Sequence, residues 1–208
     1  MIGRVFQNAV FAGSIAGGAV SVAQWFGTSP LIRAAEVYER GGGVLQRVWD
    51  DPERAALTVA TNLLVGVGFG LLLGGAITLA RRPVDARAGA AWGLAGFLAF
   101  ALLPALGLPP ELPGVPAAEL GARQLWWLLA VAASVAGLLA ITRGRGWIAA
   151  GAALLALPHV VGAPAPTDAD TQVPAELAVR FAVVSLATSA LFWLVLGAAT
   201  GAIYRRAG

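Results

Sequence analysis

The chain carries a single histidine, His159, placed directly after Pro158 near the end of an apolar run. A neutral imidazole is a ligand for Co, Ni, Zn and Cu ions. Proline breaks the helix ladder beside it and leaves backbone carbonyls free to help. One imidazole is not a site, because metal centres need several ligands in defined geometry. The companions available at the same end of the chain's apolar runs are carboxylates: Glu111, Asp168 and Asp170. A weak, partly hydrated set of this kind suits an ion that must leave as well as enter. The competing reading makes His159 a packing residue. There is no cysteine, so a thiolate metal centre and a disulfide framework are both excluded.

A second pattern occurs twice. Val115-Pro116-Ala117-Ala118-Glu119-Leu120-Gly121-Ala122-Arg123 and Val173-Pro174-Ala175-Glu176-Leu177-Ala178-Val179-Arg180 have the same order of residue types. Proline in a first helical turn lacks only an N–H that would be orphaned anyway. A glutamate close behind faces the positive helix end, and an arginine four residues later can pair with it. The spacing therefore predicts two helix starts with ion pairs Glu119–Arg123 and Glu176–Arg180. They serve either as caps or as the rim of an outer vestibule.

Polar groups inside apolar runs are scarce: Gln7, Asn8 and Gln24 in or near the first, Asn62 in the second, Ser185, Thr188 and Ser189 in the last. Hydroxyls can bond back to their own helix. The amides either join helices or line a path. Asn62 is the foremost pathway candidate and Asn8 accompanies it.

These residues need membrane helices to position them. The chain is 58% hydrophobic and 12% charged, and all fourteen basic residues are arginine. Six apolar spans are predicted, near 5–27, 56–80, 88–108, 124–142, 147–163 and 177–203; a hydrocarbon core takes about 20 residues. The fifth is the shortest. With the N-terminus in the cytoplasm, eight arginines and Asp85 lie inside (net +7), while six arginines and the other ten acids lie outside (net −4). That is the positive-inside pattern, and it places both termini in the cytoplasm. The charge is too small and scattered for nucleic acid. The first apolar run lacks a convincing cleavage site, so it reads as a span and not as a removed leader.

The expected architecture is one all-α membrane domain, 1–208, built of hairpin repeats at approximately 1–87, 88–145 and 146–208 that point the same way. Residues 31–54 form an outer segment along the headgroups, with Gly41-Gly42-Gly43 as a flexible break. Glycines at helix-turn spacing, Gly13/Gly17, Gly66/Gly70/Gly74, Gly89/Gly93 and Gly197/Gly201, predict close helix packing.

The chain resembles the CbtA family, cobalt transporter subunits of bacterial membranes. The resemblance is carried by Pro30-Leu31-Ile32-Arg33-Ala34-Ala35-Glu36-Val37-Tyr38-Glu39 and Gly68-Phe69-Gly70-Leu71-Leu72-Leu73. It continues through Leu106-Gly107-Leu108-Pro109-Pro110-Glu111-Leu112-Pro113-Gly114, Arg123-Gln124-Leu125-Trp126-Trp127, and Leu157-Pro158-His159-Val160-Val161-Gly162-Ala163-Pro164. Val173-Pro174-Ala175 and Phe192-Trp193 complete it. The resemblance implies uptake of a divalent metal, Co²⁺ for cobalamin synthesis, across the bacterial cytoplasmic membrane. It also implies a small single-span, histidine-bearing partner of the CbtB type. This chain departs from the family in its first outer loop, where Arg40-Gly41-Gly42-Gly43-Val44-Leu45-Gln46 replaces a histidine-rich run. There is no Walker A loop, so ATP hydrolysis by that route is not expected. Neither a catalytic constellation nor a cofactor is expected, and the oligomeric state stays open. Two other readings remain: a membrane scaffold for the small partner, and a transporter of another small solute.

Overall fold

The computed structural model describes residues 2–39, 51–81, 83–168 and 170–206. Among them are seven helices and no strand: α1 (Ile2–Phe26), α2 (Thr28–Glu39), α3 (Pro52–Ala80), α4 (Ala86–Ala105), α5 (Leu120–Thr142), α6 (Ile148–Val161) and α7 (Ala175–Arg206). Val5–Phe26, Pro52–Ala80, Ala86–Ala105, Leu120–Thr142 and Ala175–Tyr204 are long and apolar enough to cross a membrane. Arg145–Val161, which is α6 with the 3₁₀ turn before it, is apolar but shorter. At 1.5 Å per residue it covers about 25 Å. Large apolar side chains face outward in quantity, Leu79, Val160 and Leu64 among them. That is the burial pattern of a protein whose solvent is lipid.

Helix ends follow local chemistry. Asp51 accepts a hydrogen bond from the Arg54 N–H at 2.9 Å, and Pro52 occupies the first turn of α3. Asp85 does the same for α4 through the Ala88 N–H at 2.8 Å. Within α4, Leu98–Leu102 forms a π turn just ahead of Pro104. Proline offers no N–H and its ring crowds the carbonyl four residues back, so a widened turn relieves a clash that a regular helix would suffer.

Two compact units divide the chain. Unit 1 comprises residues 1–33, 44–97 and 187–208, and hence α1, α3, most of α4 and the C-terminal part of α7. Its α1 and α3 run antiparallel with their backbones in contact. A Cβ on Gly13 would stand 2.5 Å from the Gly66 carbonyl, one on Gly17 2.6 Å from the Asn62 carbonyl oxygen, and one on Gly70 2.9 Å from the Ala9 oxygen. Gly89 and Gly93 of α4 meet Gly197, Gly201 and the Trp193 carbonyl of α7 in the same manner. Phe69, Phe192 and Trp193 form an edge-to-face cluster beside them. The glycine stripes thus serve the packing expected of them.

Unit 2 comprises residues 34–43 and 98–186, with the end of α4, α5, α6 and the start of α7. A Cβ on Gly151 would lie 2.8 Å from the Gly137 carbonyl oxygen, which fixes how closely α5 and α6 approach. The predicted outer segment 31–54 begins as α2, which follows α1 after Gly27 and buries Leu31, Arg33 and Ala35. Its glycine break, Gly41–Gly43, lies outside the described residues.

Candidate functional site

His159 sits in the last turn of α6, half-buried, with its ring edge-on to Trp126 of α5 at a centroid distance of 5.8 Å. The Trp126 Nε1–H donates to the Pro158 carbonyl at 3.3 Å, and the Gly162 N–H donates to the same oxygen at 3.1 Å. Gly162 has φ 89°, the left-handed backbone that ends the helix there. Of the carbonyls around the proline, the Pro158 oxygen therefore already carries two bonds.

Of the carboxylates expected around His159, Glu111 forms an ion pair with Arg123. This corrects the expected Glu119–Arg123 pair. Glu119 instead stands one residue ahead of α5 as its N-cap, accepting the Gly121 N–H at 2.8 Å and the Ala122 N–H at 2.7 Å. Those two bonds hold its carboxyl below the ordinary value. The second copy of the pattern folds differently: Ala175 opens α7, so Glu176 lies within the first turn, and Glu176 and Arg180 are both exposed. The two copies share a composition but not a register.

Asp168 and Asp170 lie exposed in the loop after α6, where the Asp168 Oδ1 accepts the Asp170 N–H at 3.0 Å. The same loop is tied to the one after α4, because the Thr171 hydroxyl donates to the Gly114 carbonyl at 2.7 Å. Buried Leu112 and Val173 lie in these two loops. His159, Glu111, Asp168 and Asp170 thus belong to one end of unit 2. Among the described residues, no three or more His, Asp or Glu side chains are gathered closely enough to hold a metal by themselves.

In unit 1, the Asn62 Nδ2 donates to the Ser21 hydroxyl at 3.0 Å and to the Gln24 Oε1 at 2.7 Å. Asn62 joins α3 to α1, and the seam beyond it is closed by the backbone contact at Gly17 and Gly13. Asn8 is 6% exposed, and its Oδ1 has no hydrogen-bond partner. Thr200, which sequence reasoning passed over, is 1% exposed with an unpartnered hydroxyl oxygen. No local signal marks it; its burial follows only from where α7 is packed.

The fold and its apolar exterior define a multi-pass α-helical membrane protein, with its polar groups held at helix ends and at a few interhelical points. Residues 2–205 match the family described as "Probable cobalt transporter subunit (CbtA)", so the chain belongs to the CbtA family. Comparison with curated proteins and with solved structures gives no match.

Proposed function

We propose that this chain is the translocating subunit for Co²⁺ uptake, acting with a small histidine-bearing partner of the CbtB type in the bacterial cytoplasmic membrane. The observation that carries the reading is the family match over residues 2–205. Five helices long enough to cross a membrane support it. In this reading α6 makes the sixth crossing, both termini are cytoplasmic as the arginine distribution requires, and the hairpins are repeats. The chain performs no chemistry on its cargo and carries no resident cofactor. Cobalamin synthesis would be the consumer of the metal.

With Glu111 engaged by Arg123, His159, Asp168 and Asp170 remain to greet a cation at this end. Histidines of the partner would complete the coordination that they lack. The decisive experiment is Co²⁺ uptake into proteoliposomes, with and without the partner, comparing wild type with His159→Ala. Uptake that requires this chain and falls with the substitution upholds both the function and the role of His159. Undiminished uptake keeps the function and leaves His159 as the packing partner of Trp126. No uptake by folded protein together with its partner overturns the reading in favour of a scaffold or another solute.

A further inference from the structure

Four buried side-chain atoms among the described residues lack a hydrogen-bond partner: Asn8 Oδ1, Arg33 Nη1, Arg123 Nε and Thr200 Oγ1. Arg123 already binds Glu111 through another nitrogen, and Arg33 lies in the helix leading towards the undescribed residues 40–50. The other two belong to unit 1, and the packing sets them at one level.

Val5 of α1 and Tyr204 of α7 both reach Gly74 of α3: a Cβ there would lie 3.4 Å from the Val5 Cγ1 and 3.5 Å from the Tyr204 hydroxyl. Along α3, Phe69 meets Phe192 and Trp193, whereas Gly74 meets Tyr204, so α3 and α7 run parallel. Because α1 is antiparallel to α3, it is antiparallel to α7 also. Asn8 stands one turn beyond Val5, and Thr200 one turn before Tyr204. Because the two helices are antiparallel, Asn8 and Thr200 lie on the same side of Gly74, each on the helix face that carries the residue reaching it. Each continues a fully buried stripe, Ala12 and Ala16 beyond Asn8 and Leu196 before Thr200.

Their unpaired state is unlike that of their neighbours. The Ser21, Thr58, Thr78 and Thr142 hydroxyls each donate to a carbonyl of their own helix, and the Asn62 amide is bonded twice. An orphaned buried oxygen costs about 1–3 kcal/mol unless a ligand relieves it. One turn away, the Tyr204 and Thr78 hydroxyls stand 3.1 Å apart over the Gly74 carbonyl. The node is made of neutral oxygens. Such donors suit a hard cation, and a monovalent one above all, because the Born cost of dehydration rises with the square of charge to about four times as much for a divalent ion. A hydroxyl that coordinates through a lone pair can still turn its hydrogen to a helix carbonyl.

We infer that unit 1 binds an alkali-metal cation between α1 and α7, with Asn8 Oδ1 and Thr200 Oγ1 as its first ligands. A role for that cation in driving uptake rests on the transport reading; its binding does not. The test therefore contains no divalent metal. Purified wild-type protein in detergent is heated in 100 mM NaCl, KCl or choline chloride. A rise in Tm of about 3–6 °C in an alkali salt over choline is expected, the size that a Kd of about 10 mM gives in 100 mM salt. The rise disappears in Asn8→Leu and Thr200→Val and survives in Thr200→Ser. Equilibrium dialysis of wild type against ²²Na⁺, expected to give about one ion per chain, keeps the test independent of how the variants fold. Equal Tm in alkali and choline salts with no retained ²²Na⁺ overturns the inference and leaves the two oxygens to a water. A rise that survives both Asn8→Leu and Thr200→Val overturns it as well, by placing the cation elsewhere. Either failure leaves the Co²⁺ reading where its own experiment puts it.

Discussion

Replacing Gly13 by alanine adds one methyl group at the point where α1 lies against α3. The new Cβ would be 2.5 Å from the Gly66 carbonyl carbon and oxygen and from the Val67 nitrogen, where ordinary contact is 3.4–4 Å. The obstacle is backbone, so no rotamer change relieves it; the helices must part by about 1 Å. A gap of that size forfeits about a quarter to a half of the dispersion energy of the contacts it opens. Gly17 against Asn62 and Gly70 against Ala9 lie on the same seam and open with it. The expected loss is about 3 kcal/mol, the upper end of the overpacking range. Gly18 on the same helix has nothing within 4 Å of an added Cβ. Gly18→Ala should therefore stabilise by about 0.5–1 kcal/mol through helix propensity alone. Reversible unfolding by SDS in mixed micelles, followed by the fluorescence of the seven tryptophans, measures both variants. If Gly13→Ala falls within about 0.5 kcal/mol of Gly18→Ala, the account of α1–α3 packing is wrong.

At the start of α5, the depressed Glu119 carboxyl contributes stability at and above its ordinary value of 4.5, lost as the pH falls through the lowered folded value. Acid titration of Glu119→Gln should show a shallower loss of stability below pH 4.5 than wild type. Trp126→Phe keeps the ring against His159 but deletes the donor to Pro158. It should cost about 1 kcal/mol in the same SDS titration, and no loss there would mean that the bond is not made.

The helices were legible because lipid imposes long uninterrupted apolar runs, and α1, α3, α5 and α7 fall where the hydropathy puts them. Asn62 reads foremost as lining a path; an amide inside an apolar run can do that or join helices, and its bonds to Ser21 and Gln24 join α3 to α1. The ion pair was misread through a single residue of phase. The i, i+4 rule applies inside a helix, but α5 starts at Leu120, which leaves Glu119 outside as the cap. A Cβ at Gly121 would come to 3.1 Å from the Glu119 carboxylate, so glycine there leaves the cap room. The true partner of Arg123, Glu111, lies across a proline-rich loop whose path no local spacing encodes. Asn8 and Thr200 gain meaning only once α1 and α7 are known to lean on the same point of α3. A proline at position 104 marks an interruption near the end of the third span but does not give its form.

That form is a helix holding one residue more per turn than its neighbours. Each residue of a regular helix turns the next by about 100°, so the π turn at Leu98–Leu102 resets the angular phase of everything after it. The stretch from Trp92 to Phe97 and the stretch from Leu103 to Ala105 are therefore two separate helical registers. A single-residue deletion between them has a place to be absorbed, by reversion to a regular turn, whereas the same deletion beside Gly89 or Gly93 would rotate those glycines off α7. Among relatives of this chain, a one-residue gap inside an apolar span is to be sought here.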